Sequence, residues 1–217
     1  MLLQLQQTSE TTKTRSIYTF TCIRAPLRSN LCIRNRSHPN YPRTVEDERE
    51  LAGGNTSGRV VKVGDTVRKP WTRSTPHVMS LLETLRTHGV DVAAPLGRDN
   101  AGRQTQEFVS GTLATEGPQL SRHDLFRVRA MVRAIHDARE HFVASPTAVW
   151  ETAVPAPGQD LVCHNDLAPW NLIIGARWVF IDWDSAALST RLWDLAYSAQ
   201  TFTISSVGTE PRDVSTF

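Results

Sequence analysis

The run His164-Asn165-Asp166-Leu167-Ala168-Pro169-Trp170-Asn171, followed after an apolar strand by Asp182-Trp183-Asp184, decides how the rest of the chain is read. Transfer of a phosphoryl group from a nucleotide asks for this set of groups. One carboxylate orients an attacking hydroxyl and accepts its proton. A second carboxylate and a side-chain amide hold Mg²⁺ against the triphosphate, because their oxygens are the hard ligands this ion prefers. The gap of five from Asp166 to Asn171 lets one loop carry a base at a cleft mouth and an amide beneath the metal. Eleven residues beyond Asn171, a strand hairpin returns Asp182 beside them.

Outward from this stretch the pattern alternates short strands and helices. Leu161-Val162-Cys163 and Trp178-Val179-Phe180-Ile181 are apolar strands that bracket the loop, and a last helix begins near Thr190 and runs through Leu195 and Ala196. Upstream, Ser121 with Asp124 makes a capping box, with Leu125, Val128, Met131, Val132 and Ile135 on one helical face. Residues 75–88 place Val78, Leu81, Leu82 and Leu85 at helical spacing, with Gly89 as the stop. Val92–Leu96 and Gln104–Val109 read as short strands. Arg59–Val63 and Thr66–Lys69 around Gly64-Asp65 read as a hairpin, entered through a loop with Gly53, Gly54, Thr56, Ser57 and Gly58.

His164-x-Asp166-Leu167-x-x-x-Asn171 matches the protein-kinase catalytic-loop pattern H-R-D-L-x-x-x-N. With Ile181-Asp182-Trp183-Asp184 and Arg191-x-Trp193-Asp194-Leu195-Ala196, the chain resembles the aminoglycoside phosphotransferase (phosphotransferase enzyme) family over roughly residues 51–203. The resemblance implies an α+β, two-lobed protein-kinase-like fold, with a small β-rich N-lobe at 45–110 and a mainly helical, incomplete C-lobe at 111–203. It further implies Asp166 as catalytic base, Asn171 and Asp182 as Mg²⁺ ligands, and His164 and Asp194 as braces of the loop. ATP or GTP is the implied phosphoryl donor, and a hydroxyl of an aminoglycoside or other polar metabolite the acceptor.

The departures narrow the class. Asn165 stands where phosphorylation-regulated protein kinases place an Arg, and Asp184 replaces the glycine of D-F-G. Only eleven positions separate Asp182 from Trp193, too few for an activation segment. A small-molecule kinase is therefore expected and a switched protein kinase is not. On the nucleotide side, Gly53, Gly54 and Gly58 form G-G-x-x-x-G, near G-x-G-x-x-G, and the absence of Gly-Lys-Ser/Thr rules out a P-loop. Thr56 and Ser57 are hydroxyl donors for phosphate. Lys69, with Arg68 as rival, is the expected phosphate-holding cation, since a one-residue slip reverses a strand's faces. Phe108 and Val109 fall where the hinge meets adenine. The acid expected on the following helix is missing from Val78–Ser80, and Glu83 reads as a solvated helix charge.

Composition sets the outer bounds. With 217 residues, 40% hydrophobic and 21% charged, the chain falls in the globular range. No stretch reaches the roughly 18–20 apolar residues of a membrane span, and residues 1–7 are too short for a secretory signal. Three cysteines make no disulfide framework, which points to a reducing cytoplasm. Residues 1–44 carry seven basic residues against Glu10 alone, and the remaining 173 carry 17 bases and 21 acids. The leader is read as a disordered, solvated extension, with a transit peptide or nucleic-acid arm as alternatives. The mildly acidic body gives no footprint for nucleic acid, so the expected partners are nucleotide and acceptor.

Two other functions compete. Phe180–Ser185 resembles the D-x-D-x-S strand of haloacid-dehalogenase-type aspartyl-phosphate phosphatases, in which Asp182 would be a nucleophile. That motif opens a doubly wound sheet, and only 33 residues follow Asp184. The other is a catalytically defective kinase-like fragment. Helical periodicity fades at Thr201, so 204–217 is expected to be an irregular tail replacing helices that complete the family's acceptor pocket.

Overall fold

Gly64 adopts φ 56°, a left-handed turn conformation that a side chain resists, and closes the hairpin between Val61–Val63 and Thr66–Lys69. A computed structural model describes residues 48–51 and 58–204. Gly53, Gly54, Thr56, Ser57, the basic leader and the tail beyond Ile204 lie outside the described residues.

In chain order the strands of the first part are β1 (Glu48–Glu50), β2 (Val61–Val63), β3 (Thr66–Lys69), β4 (Pro95–Arg98) and β5 (Gln104–Glu107). They form one antiparallel sheet in the order β1-β2-β3-β5-β4. β1 was not expected from the sequence, because all three of its residues are polar and exposed; pairing with β2 and the Glu48–Arg103 ion pair at 2.8 Å hold it. Helix α1 (Thr75–Thr87) enters with Pro76 in its first turn and buries Val78, Leu81, Leu82 and Leu85. The strand expected at Val92–Leu96 is displaced to Pro95–Arg98, and Val92 instead bridges Phe180.

The second part opens with β6 (Thr112–Leu113) and α2 (Arg122–Arg139). Ser121 caps α2 as the sequence predicts: its hydroxyl accepts from Asp124 N–H, and the Asp124 carboxylate accepts from Ser121 N–H at 2.9 Å. Then come β7 (Leu161–Cys163), β8 (Leu172–Ile174), β9 (Trp178–Phe180), β10 (Ala187–Ser189) and α3 (Arg191–Ala199), whose N-cap Thr190 accepts from Trp193 N–H. β6, β8 and β9 form one antiparallel sheet and β7 pairs with β10.

The chain stays helical past α3, as one π turn over Gln200–Ile204, which corrects the expectation that helicity ends at Thr201. Phe202 is buried there, edge-on to Phe180 at 6.2 Å between centroids, while Thr201 and Thr203 hydroxyls donate to backbone carbonyls. Packing thus outweighs a sequence rich in β-branched residues.

One apolar core joins α1, α2 and the β7–β9 region through Leu81, Leu85, Val128, Val132, Ile135, Leu167, Leu172 and Phe180. A smaller cluster, Ala93, Val109, Ile173 and Val179, lies at the hinge between the two parts. Gly111 is required at that hinge: a Cβ there would lie 2.6 Å from Ile173 Cγ2 and from the Ile174 carbonyl. Glu107 accepts from Ala94 N–H at 3.0 Å and from the Arg177 guanidinium, which also binds Asp91. The hinge is thereby tied to the β8–β9 hairpin.

Candidate active site

The loop between β7 and β8 is shaped by its own hydrogen bonds. His164 is fully buried; its Nε2–H donates to the Ile181 carbonyl at 3.1 Å and its Nδ1 accepts from Asp166 N–H at 3.2 Å. These partners fix the orientation of the ring and lock the loop to the strand leading into Asp182. Asn165 sits at φ 63° and Asp182 at φ 59°, the two non-glycine residues with positive φ among those described. Such backbone strain persists where surrounding contacts over-determine it. At Asn165 those contacts are explicit: its N–H donates to Asp194 at 2.8 Å, and its amide donates to the Ser185 and Ala187 carbonyls.

Asp194 is the hub beneath the loop. Fully buried, it accepts from Asn165 N–H through Oδ1 and from His136 Nε2 through Oδ2, each at 2.8 Å. Cys163 lies close to both His136 and Asp194. Both Asp194 oxygens are engaged, and burial pushes the Cys163 thiol up to about 12. His136 and Asp194 are therefore a hydrogen-bonded brace, and Cys163 beside them, its thiol donating to the Thr190 carbonyl, is no ready thiolate.

Asp166 meets three donors. Asn171 Nδ2 donates to Oδ2 at 2.7 Å, Tyr197 O–H to Oδ1 at 2.9 Å, and the Trp170 indole N–H is shared between the two oxygens at 3.2 and 3.3 Å. Asn171 is itself buried, and its carbonyl accepts from Ile181 N–H at 2.8 Å. Burial, together with the Asp166 carboxylate, pushes the Tyr197 phenol above its ordinary pKa, so it remains a donor.

β3 brings the cation. Lys69 is buried, with Nζ 2.8 Å from Asp182 Oδ1 and 2.7 Å from Asp184 Oδ1. Burial works against the ammonium, but the Asp184 and Asp182 carboxylates outweigh it and raise its pKa above the ordinary lysine value. Arg68, on the alternate face of the strand, reaches Asp99 at 3.4 Å. Glu83 is exposed on α1. The lysine's acidic partners thus come from the turn after β9, where Trp183 packs on His164 at 4.4 Å and donates its indole N–H to the Phe180 carbonyl.

Lys69, Phe108, Val109, Asn171 and Asp182 line a single cavity of about 380 Å³, floored in part by Ile173 and Ile181 and edged by Trp170. Gly58 instead lines a second cavity of about 610 Å³ with Asp184, Ser185 and Glu151. Sequence reasoning missed Asp184 as a lysine partner, and Trp170 and Tyr197 as donors to Asp166. The i, i+3 spacing of Asp194 and Tyr197, which sets both on one face of α3, was the available signal for Tyr197.

Residues 110–213 match the phosphotransferase enzyme family. The trifolitoxin immunity protein of Rhizobium leguminosarum bv. trifolii is 30% identical over 152 residues, covering 65% of this chain and 57% of that protein. The chain therefore spans little more than half the length of this curated relative. Among solved structures, an amicoumacin kinase, hAmiN, in complex with AMP-PNP, Ca²⁺ and Ami superposes with TM-score 0.63 and 15% identity, covering 79% of this chain and 70% of that one. A microcompartment-associated aminopropanol kinase gives TM-score 0.51 and 13% identity over 72% of this chain and 69% of that one. At these identities the likeness concerns the fold, and that fold is the two-lobed kinase-like architecture. No helix among the described residues is long and apolar enough to cross a membrane.

Proposed function

We propose that the chain transfers the γ-phosphoryl group of a purine nucleoside triphosphate to a hydroxyl of a small polar molecule. The observation that carries this reading is the convergence of Lys69, Asn171 and Asp182 on one cavity, with Asp166 hydrogen-bonded to Asn171 at its edge. Phe108 and Val109 offer backbone groups for the base. Lys69 offers the charge that steadies the phosphates. Asp166 accepts the acceptor hydroxyl's proton as the bond to phosphorus forms. Such a reaction needs no covalent enzyme intermediate, because positioning and charge neutralisation supply most of the rate.

The donor set also fits a divalent cation. Asn171, Asp182 and Asp184 present hard oxygen ligands, and the Lys69 ammonium already sits as a stand-in cation between two carboxylates. Asn171 and Asp182 would hold Mg²⁺, which when bound neutralises charge on the phosphates. AMP-PNP and Ca²⁺ in the amicoumacin kinase complex support a nucleotide and a divalent ion as co-reactants.

The phosphatase alternative loses its structural premise. The strand before Asp182 pairs antiparallel with β8, and no doubly wound parallel sheet surrounds it among the described residues. The test of the transferase reading is thermal shift with Mg-ATP and Mg-GTP. A transfer assay then follows over aminoglycosides, amicoumacin, aminopropanol and trifolitoxin. Stabilisation by neither nucleotide refutes the reading and leaves the defective kinase-like fragment.

A further inference from the structure

The contacts of α3 with the catalytic loop assign a role to Tyr197 that rests on the reading of Asp166 as base. A carboxylate has about four lone-pair positions for hydrogen bonds. On Asp166, Oδ2 is held at 2.7 Å by Asn171, and Oδ1 at 2.9 Å by Tyr197. The Trp170 indole divides one longer contact between the two oxygens and is 42% exposed. Asn171 and Tyr197 therefore pin opposite ends of the carboxylate, and rotation about its Cβ–Cγ bond must break one or the other.

The Tyr197 hydroxyl is itself well anchored. It projects from α3 one turn beyond Asp194, whose carboxylate grips Asn165 N–H and the α2 histidine, His136. The helix thus holds the loop twice, by the backbone before Asp166 and by the side chain of Asp166. A phenol adds an O–H donor at little conformational cost, since it has few rotatable bonds.

We propose that Tyr197 is a positioning residue for phosphoryl transfer, fixing the orientation of the Asp166 carboxylate toward the acceptor hydroxyl. General-base efficiency depends on hydrogen-bond reach to the proton that is removed. Misplacement by about 1 Å can cost on the order of 100-fold in rate. Loss of the pin therefore acts on turnover and spares nucleotide affinity, because Tyr197 is not among the residues lining the nucleotide cavity.

The test uses the full chain as wild type, Tyr197→Phe, Asp166→Asn and the double variant. Single-turnover phosphate release from Mg-ATP, with water as acceptor, is measured alongside nucleotide affinity and Tm. The expected result is a turnover fall of roughly 10- to 100-fold in Tyr197→Phe, with nucleotide affinity within about 2-fold of wild type. In the Asp166→Asn background the same substitution changes turnover less than about 2-fold, because groups acting as a unit are non-additive. Unchanged turnover in Tyr197→Phe, or an equal loss in both backgrounds, overturns the positioning role while leaving Asp166 as base. Wild-type turnover in Asp166→Asn overturns the base assignment itself, and this role with it. A Tm drop with turnover preserved marks Tyr197 as structural only.

Discussion

Lys69→Met removes the cation that holds two acids together. The Asp182 and Asp184 oxygens each lie within 2.8 Å of Nζ, so they are at most about 5.5 Å apart. Without the ammonium, two carboxylates at that separation repel by about 3 kcal/mol at an effective dielectric of about 20. Methionine keeps the buried stem volume, so loss of packing adds little. Breaking a buried pair by removing one partner costs about 3–5 kcal/mol in general, in line with the Coulomb figure. At about 2–4 °C per kcal/mol for a chain of this size, the variant should melt roughly 6–12 °C below wild type. Mg²⁺ without nucleotide should then stabilise Lys69→Met more than wild type, because the ion enters a carboxylate pair that no longer has its own counter-charge. Adding Asp184→Asn to Lys69→Met should recover most of the lost Tm and abolish the extra Mg²⁺ response. The assay is thermal unfolding at fixed pH over a Mg²⁺ series. Equal melting of variant and wild type, with parallel Mg²⁺ curves, refutes the reasoning that Lys69 serves as the resident cation.

Asp166→Ala should abolish transfer with nucleotide affinity nearly intact, and Asp182→Ala should weaken Mg-nucleotide binding; equilibrium binding beside turnover separates them. Asp194→Ala strands the buried donors on Asn165 and His136, at about 1–3 kcal/mol each. A urea midpoint within error of wild type would contradict that count. Ser121→Ala removes the α2 cap and should cost about 1 kcal/mol, read as a Tm shift. Cys163, with its thiol raised to about 12, should resist thiol reagents at pH 8 until the chain unfolds. The same shift has a sign. An unfolded thiol titrates near 8.5, so the folded state holds the extra proton above that pH. Its stabilising share is full below about 8.5 and lost as pH climbs toward about 12. Cys163→Ala should flatten the alkaline fall in urea midpoint.

The loop 164–171 was legible because its logic is local. Asp166 and Asn171 are five residues apart and hydrogen-bond to each other, so spacing alone brought them together. The α1 and α2 faces were equally clear, since Leu81, Leu82, Leu85, Val128 and Ile135 repeat at helical period and all become core. The lysine was legible only to within one residue, because strand register reverses faces and the sequence does not print register. Its partner Asp184 was not legible at all: the contact closes a loop of 115 residues, and no local pattern encodes it. β1 and the π turn were missed for opposite reasons. The first is a polar edge held by strand pairing and the Glu48–Arg103 ion pair, and the second is held by Phe202 packing on Phe180.

Asn165 carries a consequence for how the loop is held. Its backbone and amide bind Asp194, Ser185 and Ala187 directly, across the stretch where a switchable kinase would await an incoming phosphate. The bracing group is a neutral amide bonded to carbonyls, so this brace depends on no added charge. The loop is thus braced by contacts made as the chain folds, and whatever loosens Asp194 or the Ser185–Ala187 backbone loosens the loop with it.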